Sequence, residues 1–101
     1  MSINKMKAIH PGEILADELD ALDGMSANKF AQHLSVPTNR ITSILNGTRS
    51  ISADTALRLA RFFRTTPEFW LNLQDAYDLK VALKNSGKKI AKEVIPYDRA
   101  A

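Results

Sequence analysis

Residues that break helices recur along this chain at intervals of about 10 to 20 residues, and this spacing constrains the fold more than any other feature. The breaks fall at residues 10–12, 23–24, 36–37, 46–47, 66–67, 86–87 and 95–96, where proline or glycine occurs. Between the breaks the apolar residues recur three and four positions apart, which is the period of an α-helix. The 101 residues therefore predict a single all-α domain made of short helices.

Five helices are predicted, and each begins at a residue that favours a helix N-terminus. Serine or threonine caps precede three of them, and proline suits the first turn of the others. The predicted helices begin at Pro11, after Ser26, near Pro37, after Ser52 and after Thr66. Residues 10–83 are predicted to form the folded domain, between a flexible N-terminal stretch at 1–9 and a basic, partly ordered C-terminal extension at 84–101.

The charge of the chain is divided into blocks of opposite sign. The net charge is only +3, but residues 37–64 carry +4 and residues 84–101 carry +3, whereas residues 1–36 and 65–83 each carry −2. Such segregation suits a polyanionic partner better than an even charge distribution does, although a solvated charged face explains the blocks equally well at this point.

Composition limits the other classes of function. The chain has no cysteine, which excludes a disulfide framework and a thiolate metal site. No apolar run approaches the roughly 20 residues of a membrane helix, and the N-terminus lacks the apolar core of a signal peptide, so the cytoplasm is the expected compartment. His10 and His33 are isolated and fit surface or capping roles. Asp23, Ser26 and His33 share one helix and its lead-in, which cannot preorganise a catalytic triad. We expect no enzyme activity, no cofactor and no metal site.

The segment from Ala27 to Leu45 is the most specific part of the sequence, because it predicts two short helices joined by a tight turn. Ala31 is small enough for the closest approach of two steeply crossing helices, and Val36 supplies an apolar anchor in the turn. Ile41 and Ile44 face inward on the second helix of the pair. The arrangement is that of a helix-turn-helix.

The outward face of that second helix is polar and contains no acid. A rotation of about 100° per residue places Asn39, Ser43 and Asn46 away from the core, with Thr42 on one side and Arg40 on the other. A helix in the DNA major groove requires hydrogen-bond donors and acceptors without carboxylates that repel phosphate. A merely solvated helix usually carries some Glu or Asp. DNA recognition is therefore the preferred interpretation.

Four motifs give the chain a resemblance to a known family: HPGEIL, the Asn-Gly turn, ADTALRLA and PEFWLNLQ. Over about residues 8–98, which include EVIPY near the end, the sequence resembles the HigA branch of the Xre/Cro-like antitoxins, the antidote proteins of plasmid-maintenance modules. The resemblance implies a five-helix, lambda-repressor-like domain that dimerises, binds a palindromic operator in its own promoter and represses its operon. It also implies a partner, a HigB-type toxin similar to the RelE ribonucleases that cleave messenger RNA on the ribosome.

The same resemblance implies roles for residues of the helix-turn-helix. Base-reading residues are expected at Thr38, Asn39, Arg40, Thr42 and Ser43, and phosphate contacts at Asn28, Asn46, Thr48 and Arg49. Two positions depart from the family pattern: Ser35 stands where the turn commonly has glycine, and Ala27 stands where a glutamine often contacts phosphate. The first departure predicts a strained or altered turn, and the second a phosphate contact that is lost or moved to Asn28.

Two further surfaces are candidates for protein contacts. The last predicted helix has two adjacent apolar rows, which indicates either a wide buried helix or a dimer interface. The predicted dimer interface is Trp70, Leu73, Tyr77 and Val81, and the predicted toxin-binding surface is the acidic set Glu13, Asp17, Glu18 and Asp20. A solvated face is the more common role of such acids. A stand-alone repressor without a toxin and a protein-interaction module that has lost DNA binding are the rival functions.

Overall fold

A computed structural model describes residues 7–98, which form five α-helices and no β-strand. The helices are α1 (Pro11–Ala21), α2 (Ala27–Leu34), α3 (Thr38–Leu45), α4 (Ala53–Phe63) and α5 (Pro67–Glu93). The all-α, five-helix prediction is confirmed, and every helix begins at its predicted start. Residues 1–6 of the predicted flexible stretch and residues 99–101 of the predicted extension lie outside the described part of the chain.

Side-chain caps explain why three of the helices begin where they do. The hydroxyl oxygen of Ser26 accepts a hydrogen bond from the backbone N–H of Lys29 at 3.1 Å, at the start of α2. Ser52 caps α4 and Thr66 caps α5 in the same way. Each cap satisfies a backbone donor that has no partner within the helix, and a cap of this kind contributes about 1 kcal/mol.

The core lies where the first four helices meet the beginning of α5. Its buried apolar residues are Leu15 and Leu19 of α1, Phe30, Ala31 and Leu34 of α2, Ile41 and Ile44 of α3, Ile51, Ala56 and Leu59, and Trp70 of α5. Aromatic rings hold α2, α4 and α5 together: Phe30 contacts Phe62 edge-on at 5.1 Å between centroids, and Phe63 lies 5.6 Å from Trp70. Full burial of a side chain of this size stabilises a fold by about 1.5–3 kcal/mol.

The HPGE motif fixes the start of α1 against α3. The Nδ1 atom of His10 accepts a hydrogen bond from the Gly12 N–H at 2.9 Å, while the Glu13 carboxylate accepts one from the His10 N–H at 3.3 Å, which completes a capping box. A Cβ atom at Gly12 would lie 2.0 Å from the carbonyl oxygen of Ile44, so only glycine fits at this crossing. The His10 ring also contacts Tyr77 edge-on at 4.9 Å, and the motif therefore joins α1, α3 and α5.

The α5 helix is longer than the sequence indicated. The Ser86-Gly87 pair predicts a break, but α5 continues through it to Glu93, so residues 84–93 of the predicted extension belong to the helix. A glycine inside a helix costs only about 1 kcal/mol relative to alanine, and the next proline is Pro96. Within residues 7–98 no helix combines the length and the apolar character needed to cross a membrane.

Candidate nucleic-acid interface

The turn between α2 and α3 contains a residue in an uncommon backbone conformation. Ser35 follows the last residue of α2 and has φ 56° and ψ 48°, in the left-handed region that glycine adopts more readily. The next residue, Val36, donates its N–H to the carbonyl oxygen of Ala31 at 3.1 Å. The strained turn that was predicted from Ser35 is therefore present, and it directs the chain from α2 into α3.

The α3 helix buries one face and leaves the opposite face to solvent. Ile41 and Ile44 are fully buried, Asn39 and Asn46 are exposed, and the remaining outward residues are partly exposed. The five predicted base-reading residues, Thr38, Asn39, Arg40, Thr42 and Ser43, all lie on this helix and all reach the surface. The structure thus brings together the side chains that the sequence assigned to one face.

A side-chain hydrogen bond connects this face with α2. The hydroxyl of Thr38 donates to the Oδ1 atom of Asn28 at 2.9 Å. The bond fixes the orientation of the Asn28 amide, because an oxygen that accepts must face the donor, and it turns the amide N–H groups away from Thr38. Asn28, a predicted phosphate contact, is therefore oriented by a predicted base-reading residue.

The three other predicted phosphate contacts lie in the loop that follows α3. The carbonyl oxygen of Ser43 accepts hydrogen bonds from the backbone N–H groups of Thr48 and Arg49 at 2.9 and 3.2 Å, and from the Thr48 hydroxyl at 3.1 Å. Gly47 makes the turn possible with a φ of +79°. The loop is consequently anchored to the end of α3, with Asn46, Thr48 and Arg49 exposed beside the polar face.

An ion-pair network that the sequence did not reveal connects α3 with α4. The Oδ2 atom of Asp54 accepts hydrogen bonds from Arg40 Nη1 and from Arg58 Nε, the latter at 2.9 Å. Arg58 also donates through Nη1 to the carbonyl oxygen of Leu34, the last residue of α2, at 2.9 Å. The hydrogen bond from Arg58, and after it the one from Arg40, lowers the pKa of Asp54 below its ordinary value.

Only half of this network leaves a signal in the sequence. Asp54 and Arg58 are four residues apart, which places them on one side of a helix. The pairing of Asp54 with Arg40 crosses from one helix to another and depends on how α3 and α4 pack. Arg40, which was predicted only as a base-reading residue, is therefore held by an acid in the unbound protein.

The predicted dimer surface on α5 requires one correction. Trp70 is only 1% exposed, and its indole N–H donates to the Thr65 hydroxyl at 3.1 Å, so it belongs to the core of the protomer and offers no surface to a partner. Leu73, Tyr77 and Val81 are each partly exposed, so each has surface that a second copy of the protein could cover. The sequence prediction also omitted exposed apolar residues further along α5, namely Leu79, Leu83 and Ile90.

The acidic residues of α1 face solvent. Glu13, Asp17, Glu18 and Asp20 are all exposed. Glu13 is already engaged, because its carboxylate completes the α1 capping box and pairs with Lys7 Nζ at 3.6 Å. The other three acids have no comparable structural task among the contacts of the described residues, and they form the negative surface of α1.

Comparisons with known proteins agree with this geometry. Residues 18–70 match the family model described as helix-turn-helix. The chain is 52% identical over 79 residues to virulence-associated protein I of Dichelobacter nodosus, an alignment that covers 78% of this chain and 73% of that protein. A solved addiction-module antidote protein of a HigA family from Coxiella burnetii is 76% identical, with a TM-score of 0.88 over 91% of this chain and all of that one. The Pseudomonas aeruginosa antitoxin HigA, solved with the higBA promoter, is 43% identical, with a TM-score of 0.86 over 91% of this chain and all of that one.

Proposed function

Because this chain belongs to the HigA family of helix-turn-helix antitoxins, we propose that it binds an operator in its own promoter as a homodimer, represses its operon and neutralises a HigB-type ribonuclease toxin. The main support for DNA binding is the outward face of α3, which is polar and has no acidic residue, while the opposite face of the helix is buried in the core. A relative with 43% identity and the same fold was solved with promoter DNA, which supports the same role here.

An α-helix such as α3 suits the major groove. With its side chains it is about 10–12 Å in diameter, and the major groove of B-DNA is about 12 Å wide. Asn39 and Ser43 are one helical turn apart and can reach neighbouring base edges, while Arg49 and Asn46 at the end of α3 can reach phosphates. The close approach of Gly12 to the Ile44 carbonyl and the burial of Ile41 and Ile44 hold this helix in place, so recognition does not require α3 to be ordered on binding.

A dimer follows from the size of one module. A single helix-turn-helix buries a small interface on DNA, and useful affinity normally requires two modules on half-sites about 34 Å apart. Leu73, Tyr77 and Val81 are four residues apart on α5, so they share one face, and each is partly exposed. Apolar surface of this kind gains free energy when a second copy covers it. We therefore place the dimer interface on α5.

The toxin partner is assigned to the acidic surface of α1. Asp17, Glu18 and Asp20 are exposed together on the side of the molecule that carries negative charge, and a ribonuclease that binds RNA is expected to be basic. Residues 10–93 consist of helices joined by short turns, so no long charged segment in this range is available to fold over the toxin. Neutralisation by a folded surface is the mechanism that fits this chain.

The DNA-binding part is tested by an anisotropy titration. Labelled duplexes from the region upstream of the gene and a shuffled duplex of the same composition are titrated at one salt concentration near the physiological value, since affinity for DNA depends steeply on salt. We expect the upstream duplex to be preferred by at least about a thousandfold. Equal affinity for both duplexes would contradict operator recognition.

The antitoxin part is tested in cells that express the neighbouring toxin. Reversal of Asp17, Glu18 and Asp20 to lysine is expected to abolish protection while operator binding is retained. Deletion of residues 94–101, which follow the end of α5, serves as the control and is expected to leave protection intact. Protection that survives the reversal and is lost with the deletion would move the toxin site to the C-terminus. A flanking gene that encodes no toxin would favour the alternative of a stand-alone repressor.

A further inference from the structure

Asp54 is the one acidic residue between residues 24 and 67, the stretch that contains the whole helix-turn-helix. It stands in the first turn of α4, near Arg49 of the loop that follows α3, and its carboxylate engages Arg40 of α3. An acid at this place repels the phosphates of DNA, so general attraction between the protein and DNA does not explain why an acid is present here.

We propose that Asp54 is a positioning residue for DNA recognition, which orients the Arg40 guanidinium beside the face of α3 and thereby raises the selectivity of the protein for its operator over other DNA. The inference rests on the proposed DNA binding and assigns a role to one residue within it. Asp54 itself contacts no base in this account. It acts through Arg40.

The geometry of the pair supports this role. Asp54 holds Arg40 by Nη1 alone, which leaves Nε and Nη2 of the planar guanidinium pointing in directions that the ion pair fixes. An arginine without such a partner samples many rotamers and reaches phosphates of any sequence. One that is already oriented loses less conformational entropy when it meets a matching base edge.

The charge of Asp54 has a separate effect, which does not depend on the DNA sequence. A shallow surface pocket between α3 and α4 is lined by three arginines, namely Arg40, Arg49 and Arg58, together with Ser50 and Ser52. Asp54 lies among them. Its negative charge weakens the attraction of this cationic surface for every DNA backbone. The operator has the same backbone, so this charge effect lowers the affinity for both DNAs and leaves their ratio unchanged, and the gain in selectivity comes from the orientation of Arg40 alone.

A purely structural role accounts for Arg58 better than for Arg40. Arg58 connects Asp54 to the end of α2 through its hydrogen bond with the Leu34 carbonyl. The Arg40 side chain is 28% exposed and that of Asp54 is 56% exposed, and exposed ion pairs contribute little to folding. Removal of Arg40 therefore separates the contribution of Asp54 to folding, which acts through Arg58, from its contribution to DNA selectivity, which acts through Arg40.

The test is a double-mutant cycle on two DNAs. Wild type, Asp54→Asn, Arg40→Ala and the double variant are titrated with the operator and with a shuffled duplex, and the ratio of the two Kd values is the readout. We expect Asp54→Asn to lower this selectivity at least about fivefold, the lower end of what one arginine–base contact provides. In the Arg40→Ala background the same substitution is expected to leave the ratio unchanged, because the residue through which it acts is gone.

Two control variants separate charge and folding from orientation. Asp75→Asn makes the same charge change at an exposed position on α5 and is expected to leave the ratio as in wild type. Asp54→Glu retains a carboxylate and is expected to recover most of the selectivity. A loss of folded protein lowers both affinities by the same factor and leaves the ratio unmoved, and thermal unfolding of each variant measures that loss directly.

Each outcome supports or overturns the inference. An unchanged ratio in Asp54→Asn overturns it, and so does a fall of the same size in the Arg40→Ala background. If wild type itself fails to discriminate between the two duplexes, the proposed function falls and this inference falls with it. If wild type discriminates and Asp54→Asn does so equally well, only the role of Asp54 is lost.

Discussion

Replacement of Gly12 by alanine is expected to destabilise the protein through one backbone contact. The added Cβ would lie 2.0 Å from the Ile44 carbonyl oxygen and 2.9 Å from its carbonyl carbon, whereas ordinary contacts begin near 3.4 Å. The obstructing atoms are backbone inside α3, so relief requires α1 and α3 to separate by more than about 1 Å. Overpacking of this severity costs about 3 kcal/mol, at the upper end of the usual range.

The assay is urea unfolding followed by far-UV circular dichroism, with Gly87→Ala as the matched control. A Cβ at Gly87 would meet only the Leu83 side chain at 3.7 Å, an ordinary contact, and the residue lies inside α5. Alanine there is expected to stabilise by about 0.5–1 kcal/mol through helix propensity. With a slope of about 1–3 kcal/mol/M, Gly12→Ala lowers the urea midpoint by about 1 M or more, while Gly87→Ala raises it. Equal midpoints for the two variants would refute the close approach of α1 and α3.

Three other predictions address the turn, the loop and the dimer. Ser35→Gly is expected to raise the free energy of unfolding by about 0.5–1 kcal/mol, because glycine adopts the observed left-handed conformation without strain; a lower value in urea unfolding would contradict this. Arg49→Ala is expected to lower the affinity for the operator and for shuffled DNA by similar factors, and to reduce the slope of log K against log salt concentration by about one. A loss of affinity confined to the operator would instead make Arg49 a base-reading residue. Val81→Glu is expected to shift sedimentation at tens of micromolar from dimer to monomer, and a wild type that is already monomeric there would refute the α5 interface.

Local features of the fold were predictable because their causes are local. Ser26, Ser52 and Thr66 cap helices through residues three positions away, and such spacings are visible in the sequence. The inward face of α3 was predictable for the same reason, since Ile41 and Ile44 follow the helical period and are buried.

Features that depend on packing between helices were not predictable. The pairing of Arg40 with Asp54 spans 14 residues and exists because α3 and α4 meet at that point. Two apolar rows on α5 were recognised, but the sequence does not show which row the core buries, and Trp70 was assigned to the wrong side. Gly87 did not end α5, because helix propensity is a weak preference that neighbouring residues override.

The central claim, that the outward face of α3 reads DNA sequence, is tested most directly by Asn39→Ala. Asn39 is exposed on that face, and its amide can donate to and accept from a base edge. Asn85→Ala, which removes the same group from an exposed position on α5, is the control. Titration with the operator is expected to show a loss of about 1–3 kcal/mol, or roughly 5- to 150-fold, for Asn39→Ala alone, with affinity for shuffled DNA unchanged. Operator affinity that is unaltered in Asn39→Ala, or a loss of equal size on shuffled DNA, would contradict the assignment of this face to sequence recognition.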